Sequence, residues 1–322
     1  MRNGKTAGAV FPYLALDIGA GSGRAFIGTL ADDKIQIEEL HRFPNRPVYL
    51  NAHYYWDFLY LWEEVLEALR RCADRGLQQL GGIGIDTWNM DFGLIDAGGM
   101  LLLNPFSYRD QSAETIMKEI SAFVTDEELY SLTGLGMNTI SALTRLYQLK
   151  NHTAAAVFPA ARTYLPLPDL LRFYLSGDIS GEESILWGSQ LISVDERKWL
   201  KTLIGRLGLP DYLFPEVRPA GTVARSVREE LRSATGLKKA PVIAVAEHDT
   251  ISAAVSVFER RSDDGFISTG TWSVMGRFLA EPMLNPRSRK LGYLNEIAPE
   301  GVIFAKNQIG RASCRERVCH RV

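Results

Sequence analysis

Cysteine is scarce in this sequence, with three among 322 residues. Cys314 and Cys319 lie within the last twelve residues, so Cys72 is the only cysteine in the main part of the chain. A small secreted domain held together by disulfides needs several paired cysteines. The composition therefore excludes a disulfide framework and indicates a reducing compartment, the cytoplasm.

Long apolar runs and an excess of charge are also missing. No stretch reaches the ~18 apolar residues of a membrane-spanning helix, and the net charge is −2. Arg2 and Lys5 precede a short apolar run like that of a signal peptide, but Pro12 interrupts it, so we interpret it as the leader into the first strand. We expect neither a membrane nor a nucleic acid as partner.

Two common nucleotide-binding motifs are absent. The sequence has no G-x-x-x-x-G-K-[ST] motif, which excludes a P-loop as the phosphate site. Gly19, Gly21 and Gly23 have G-x-G-x-G spacing and precede the strand-like run Ala25–Leu30, whereas the Rossmann motif is G-x-G-x-x-G at the start of a helix. A phosphate site in this chain must therefore use another kind of turn.

A glycine-rich turn does follow the first predicted strand. Asp17 closes the strand Tyr13–Leu16, and residues 19–23 form the turn into a second strand. Glycine permits positive φ and close approach to a ligand, and successive exposed N–H groups bind anions. Mg²⁺ takes only one or two carboxylates besides phosphate oxygens, so Asp17 is a candidate magnesium ligand. An ordinary hairpin turn is the alternative interpretation.

The segment Ser268–Thr271 repeats this design, since a turn of small hydroxyl residues and glycine again joins two apolar strands. Two such hairpins indicate two lobes of similar build, each cradling part of a triphosphate. The pair is a stronger signal than either turn alone.

A carboxylate lies between the two turns, at the end of the apolar run that begins at Pro241. Asp249 can accept the proton of a sugar hydroxyl that attacks the γ-phosphoryl group of ATP. It can also simply cap a helix over Thr250–Val257, because aspartate favours that position. His248 by itself is more typical of a core histidine than of a catalytic one.

Five motifs together resemble the FGGY carbohydrate kinases, over about residues 13–307. These motifs are Asp17–Arg24, Gly84–Phe92, Tyr108–Asp110, His248–Thr250 and Ser268–Trp272. The resemblance implies an α/β, actin/hexokinase-like (ribonuclease H-like) fold whose two lobes close on Mg²⁺, ATP and a small sugar. The implied reaction transfers the γ-phosphoryl group of ATP to the 1-hydroxyl of L-rhamnulose.

Matching positions carry the family's site residues onto this chain. The resemblance implies that Asp249 is the proton acceptor. The residues expected at the ATP phosphates are Ala20, Gly21, Ser22, Gly23, Arg24 and Thr271. The residues expected at the sugar are Asn89, His248, Thr250 and Asn307.

The segment around Asn89 departs from the family, which usually has glycine at this position. The extra side chain carries donors and acceptors where the sugar should approach, so the exact ketose stays open. Asp86 and Asp91 lie on either side of Asn89 in the sequence. If this segment is a strand, one of them would face the cleft between the two lobes and the other would face away. Trp88 and Trp272 can stack on a ligand but are more typical of a core.

The predicted helix over Trp56–Arg71 illustrates the scaffold. Its apolar stripe, which we expect to cover a sheet, consists of Leu59, Trp62, Leu66 and Leu69. Helical patterns over residues 115–150 and a helix opened by the prolines of Leu165–Asp169 complete an α/β lobe with a mixed sheet.

The organisation predicted from the sequence has three parts. Residues 1–257 form the sugar-binding lobe with the first phosphate turn, and residues 258–307 begin a second lobe. Residues 308–322 lack an amphipathic pattern, and Ile309–Val318 resembles translated sequencing adapter, so we expect a tail foreign to the protein. A basic tail that binds something acidic is the alternative. With a second lobe this short, we expect weak or no turnover of ATP by the chain alone.

Two rival functions remain. One is a kinase of the same family acting on another ketose, such as L-fuculose or a pentulose. The other is a non-catalytic sugar-binding protein of actin-like fold, which would require loss of the base or an added DNA-binding module. The sequence does not define the oligomeric state, and a monomer is the working expectation.

Overall fold

A computed structural model describes residues 11–31, 34–110, 114–257, 265–269 and 273–308. The strands are β1 Tyr13–Ile18, β2 Ser22–Ala31, β3 Lys34–Pro44, β4 Val48–Leu50, β5 His53–Tyr55, β6 Gly82–Thr87, β7 Phe92–Ile95, β8 Thr163–Pro166, β9 Ser180–Glu182, β10 Glu216–Arg218, β11 Thr222–Ser226, β12 Pro241–Ala244, β13 Gly265–Thr269, β14 Ser273–Leu279, β15 Leu294–Ala298 and β16 Gly301–Gln308. The helices are α1 Phe58–Asp74, α2 Glu114–Ile120, α3 Asp126–Thr133, α4 Ala142–Gln148, α5 Leu167–Ser176, α6 Glu183–Trp187, α7 Lys201–Arg206, α8 Glu229–Thr235, α9 Asp249–Val257 and α10 Pro286–Lys290.

The larger sheet has six strands in the order β11-β12-β6-β1-β2-β3. β12, β6 and β1 run parallel, and antiparallel neighbours flank them on both sides. The predicted mixed sheet is confirmed, as is the hairpin formed by the first two strands. The carboxyl ends of the three parallel strands meet at one edge, which is where ligands bind in open α/β sheets.

Helix α1 packs on this sheet by a face that includes Leu69 of the predicted stripe, with Trp62 and Leu66 half-buried at its edge. The buried residues are Phe58, Leu61, Val65, Ala68, Leu69 and Cys72. Leu59 is 72% exposed, so its place in the predicted stripe was wrong. The helix starts at Asp57, whose side chain accepts a hydrogen bond from the Tyr60 amide, and this start orients the face that follows.

The second sheet has four antiparallel strands in the order β13-β14-β16-β15. The hairpin predicted around the second turn is confirmed by the pairing of β13 with β14. Inward-facing residues of β15 and β16, such as Ile297 and Ile303, share a core with the helices that follow β7. The division of the chain at residue 257 stays a prediction.

Residues 115–150 are largely helical, as predicted, and α4 continues into a π-helical turn at Leu149–Thr153. Helix α5 begins beside Pro168 and ends at Gly177, which has a left-handed backbone (φ 77°). Within the described part of the chain, no helix combines the length and apolar character needed to cross a membrane.

Candidate active site at the strand ends

Three aspartates meet at the carboxyl ends of the parallel strands. Asp17 of β1 is the register partner of Asp86 of β6. One residue further along, Thr87 forms a parallel bridge with His248, which places Asp249 next to this pair. Parallel pairing therefore brings together carboxylates that are far apart in the sequence.

Burial and mutual repulsion disfavour full ionisation of this group. Burial raises the pKa of Asp17; Arg24, its partner on β2, opposes that increase, and the charge of Asp249 adds to it. Burial also holds the pKa of Asp86 well above its usual range, and the charges of Asp17 and Asp249 raise it further. A cation bound here would relieve the repulsion.

Asp249 is the first residue of α9 and keeps 40% of its side chain exposed. Its Oδ1 accepts hydrogen bonds from the amide (2.6 Å) and the hydroxyl (3.2 Å) of Thr250. Ser252, one turn along the helix, donates from Oγ to Asp86 Oδ2 at 3.2 Å. The start of α9 thus links two of the three aspartates, and the positive end of its dipole favours a carboxylate.

His248 is buried between two carboxylates. Its Nε2 lies 3.5 Å from Asp249 Oδ1, and its Nδ1 lies 3.2 Å from Glu296 Oε2. Burial alone would lower the pKa of His248, but Glu296, Asp249 and Glu182 outweigh that effect and raise it. Glu296 lies on β15, so the second sheet contributes directly to this site.

Backbone hydrogen bonds fix the segment that carries His248 and Asp249. Glu247 donates its amide to Glu182 Oε2 at 3.1 Å, and its carbonyl accepts from the Thr87 amide at 2.9 Å. The His248 amide points to Ser184 Oγ at 3.4 Å. Contacts from β6, β9 and α6 therefore hold this segment in place.

A buried ionic network lies behind this segment, around Arg172. The guanidinium donates to Glu247 Oε1 at 2.9 Å and Asp178 Oδ2 at 2.8 Å, and also to Asp169. Burial raises the pKa of both Asp169 and Glu247, and Asp169 raises that of Glu247 further. Acids outnumber bases here, so the network retains protons that exposed carboxylates would lose.

The first turn is held open by Asn45. Its side-chain amide donates to the carbonyl of Gly19 at 2.9 Å, and its backbone amide donates to that of Gly21 at 3.2 Å. No hydrogen bond within the described residues uses the amides of Ala20 or Gly21. Those two groups are available to an anion, as in the predicted nest.

The reason for the glycines differs from the predicted one. None of the three glycines of this turn has a positive φ, so that expectation was wrong. A Cβ on Gly23 would lie 2.0 Å from the ring of Phe43, whereas one on Gly21 would meet open space. Gly23 therefore serves packing within the sheet, while Gly21 leaves room for a ligand.

Asp17 also suits a magnesium ion. Among the described residues, no three His, Cys, Asp or Glu side chains are arranged as a complete set of metal ligands. Mg²⁺ does not require such a set, since it keeps several waters and takes one or two carboxylates plus phosphate oxygens. Asp17, beside the free amides of the turn, meets that requirement.

The sugar-binding candidates occupy different environments. Asn89 is 7% exposed and accepts the Met90 amide at 2.6 Å, while its Nδ2 has no partner in the described part of the chain. A Cβ on Gly188 would lie 2.0 Å from Asn89 Oδ1. Asn307 is exposed on β16 opposite Val274. Their contact with sugar stays a prediction.

Asp91 lies among aromatic residues and not with the three aspartates, but strand alternation is not the reason, because residues 88–91 lie between β6 and β7. It accepts hydrogen bonds from the indoles of Trp56 (2.6 Å) and Trp88 (2.7 Å) and from the Tyr108 amide. Burial raises its pKa to about 6. Trp88 is thus a core residue, whereas Thr271 and Trp272 lie outside the described residues.

Sequence reasoning missed Glu182 and Glu296. Each is an acid within a short buried strand, and all residues of β15 are buried. An acid inside an apolar run is the signal that would have singled out Glu296, because buried charges are rare unless they are paired. No local pattern identifies the contact of Glu182 with Glu247 or that of Glu296 with His248, because these partners are distant in the sequence.

Comparisons with known proteins agree on one family. Residues 12–256 match the model of the N-terminal domain of the FGGY family of carbohydrate kinases. A rhamnulokinase of Oceanobacillus iheyensis is 35% identical over 283 residues, covering 88% of this chain and 59% of the relative. A rhamnulokinase of Bacteroides thetaiotaomicron is 33% identical over 300 residues, covering 92% and 61%. The chain thus spans about 60% of the length of these curated relatives.

Solved structures share the fold. A xylulose kinase from Rhodospirillum rubrum superposes with a TM-score of 0.82 at 20% identity, covering 94% of this chain and 62% of that one. A gluconate kinase from Lactobacillus acidophilus has a TM-score of 0.81 at 16% identity, covering 92% and 59%. The predicted actin/hexokinase-like α/β architecture is confirmed.

Proposed function

Because the chain belongs to the FGGY family of carbohydrate kinases, we propose that its protein phosphorylates L-rhamnulose at the 1-hydroxyl, with ATP as donor. The observation that carries this proposal is the meeting of Asp17, Asp86 and Asp249 at the ends of three parallel strands. The curated relatives named rhamnulokinase support the choice of ketose.

Asp249 is the general base of this reaction. Its side chain is partly exposed and is oriented by Thr250, so it can reach a hydroxyl in the cleft. It takes the proton of the attacking sugar hydroxyl as the bond to the γ-phosphorus forms and the bond to the leaving oxygen of ADP breaks. The products are the sugar 1-phosphate and ADP.

The first turn and Asp17 serve the nucleotide. The free amides of Ala20 and Gly21 hold phosphate oxygens, and Arg24 adds a positive charge next to Asp17. Asp17 would hold the water shell of Mg²⁺, whose chemistry is to neutralise phosphate charge. Thr271 completes the phosphate contacts in this proposal.

The sugar lies on the other side of the base. His248 and Thr250 flank Asp249, and the unpartnered Nδ2 of Asn89 supplies a buried donor for a hydroxyl. Buried donors are costly when left unpaired, which favours a ligand that accepts this bond. Asn307 completes the proposed set.

Asn89 also supports a second candidate substrate. Since the family usually has glycine at this position, the added amide can favour another ketose, such as L-fuculose or a pentulose. One buried hydrogen bond can change the ratio of the kcat/KM values for two substrates by several orders of magnitude.

The test is calorimetry of the 322-residue chain with L-rhamnulose, L-fuculose and D-xylulose, alongside an ADP-release assay with MgATP. We expect L-rhamnulose to bind most tightly. We expect weak turnover by this chain alone, because transfer needs two lobes closed on the substrates, and a further fall of about 10²–10⁴-fold in Asp249→Asn. Preference for another ketose would overturn the substrate, and turnover unchanged in Asp249→Asn would overturn the base.

A further inference from the structure

His248, next to the proposed base, contacts Glu296 of the second sheet, a contact that sequence reasoning did not suggest. Both side chains are at least nine-tenths buried. His248 Nδ1 lies 3.2 Å from Glu296 Oε2, and neither atom has a hydrogen-bond partner among the described residues. The two atoms therefore lie within ion-pair distance without forming a hydrogen bond, and they form an ion pair when His248 is protonated.

We propose that Glu296 is a positioning residue, which holds the His248 imidazole in its charged form with Nε2–H facing Asp249. The proposal rests on the proposed function, in which Asp249 is the base. A neutral imidazole has one N–H and one lone pair. Glu296 and Asp249 each place a carboxylate oxygen near one of the two ring nitrogens. In a neutral ring, one nitrogen would direct its lone pair towards a carboxylate. Only the imidazolium carries an N–H at both nitrogens.

The surroundings of His248 favour the same state. Acids face it from each element packed around it: Asp249 on its own helix, Asp86 at the end of β6, Glu182 beside α6, and Glu296 on β15. The Arg172 guanidinium behind the segment is paired with Glu247, Asp169 and Asp178.

A charged His248 has a consequence for the base. Asp249 lies near two other aspartates, Asp17 and Asp86, and the negative charges of the three side chains repel one another. The positive charge 3.5 Å away opposes that repulsion. Glu296 thus acts on the reaction through His248 and does not contact the substrate.

The test is a proton NMR titration of the histidine ring signals of the whole chain, with His248→Gln identifying one of the five histidines. We expect His248 to titrate above 6.5, the ordinary value for histidine, in the native chain. In Glu296→Gln it should titrate below 6.5, because burial then dominates. A value below 6.5 in the native chain, or the same value in both proteins, would overturn the proposal.

Two further variants serve as controls for this titration. Glu296→Asp retains the charge at a greater distance, so His248 should titrate above its value in Glu296→Gln; equal values would count against the ion pair. Glu119→Gln removes the carboxylate 3.1 Å from the exposed His152 and should leave the His248 signal unchanged. Sugar binding is not part of this readout, so a failure of the substrate assignment would not alter it.

Discussion

The carboxyl group of Glu182 is completely buried, and one of its oxygens accepts several hydrogen bonds. Its Oε2 accepts from the amides of Ser184, Ile185 and Glu247 and from the Ser184 hydroxyl, while its Oε1 has no partner in the described part of the chain. Burial raises its pKa to about 7. One residue therefore caps α6, fixes the segment that leads to His248 and Asp249, and holds a proton that an exposed glutamate would release.

This proton makes folding depend on pH. Between about 4.5 and about 7 the unfolded chain loses it while the folded chain keeps it, so the free energy of unfolding falls as pH rises through this window. We expect a fall on the order of 2–3 kcal/mol from this residue, and a shallower pH dependence in Glu182→Gln, which mimics the protonated acid. Urea unfolding at pH 5 and pH 7 measures both slopes, and equal slopes would contradict the assignment.

At the scale of secondary-structure elements, helix α1 shows how an apolar pattern in the sequence can predict the wrong buried residues. Leu59 and Leu61 are both apolar residues of the first turn, and each begins a series at helical spacing. Only the sheet beneath the helix decides between the two faces, and it buries the one that contains Leu61. The sequence predicted the helix over Trp56–Arg71 because helical periodicity is a local signal, whereas the buried face depends on tertiary contacts.

The two leucines form a matched pair for testing that face. We expect Leu61→Ala to lower the free energy of unfolding by about 2–5 kcal/mol, because it leaves a cavity under the sheet. Leu59→Ala should change it by less than about 0.5 kcal/mol, since that side chain is exposed. Chemical denaturation of both variants measures the difference, and similar losses would favour the stripe predicted from the sequence.

At the scale of the whole molecule, two hydrophobic cores share the strand pair β7–β8. Phe92 and Leu94 of β7 face the core that includes the second sheet, whereas Ile95 faces the core under the larger sheet. On β8, Tyr164 and Leu165 divide in the same way. Because one pair of strands belongs to both cores, neither core can unfold without exposing part of the other.

We therefore expect one cooperative unfolding transition. Ile303→Ala, on the buried face of β16, should lower its free energy by about 2–5 kcal/mol and move the fluorescence and circular dichroism curves together. Ile267→Ala, at a side chain that is 65% exposed on β13, is the matched control and should have little effect. Two separated transitions, with only one shifted by Ile303→Ala, would show that the sheets unfold independently.

The sequence predicted the parts of the site that are contiguous motifs. Asp17 with its turn and the segment His248–Thr250 could be identified because each combines an apolar strand with the chemistry that follows it. Glu182 and Glu296 could not, since their roles arise from distant segments that pack against His248. The role of Gly23 was misjudged for the same reason, because Phe43 comes from another strand.

Asn89 and Gly188 fill one small volume between them, since a Cβ on the glycine would collide with the amide oxygen. The two positions are therefore not free to vary one at a time. A variant with a side chain at 188 would have to move or shorten Asn89, whereas a variant with glycine at 89 would have room for a side chain at 188. Substitutions at these two positions should therefore be coupled, and glycine at 89 alone would leave an empty volume beside Gly188.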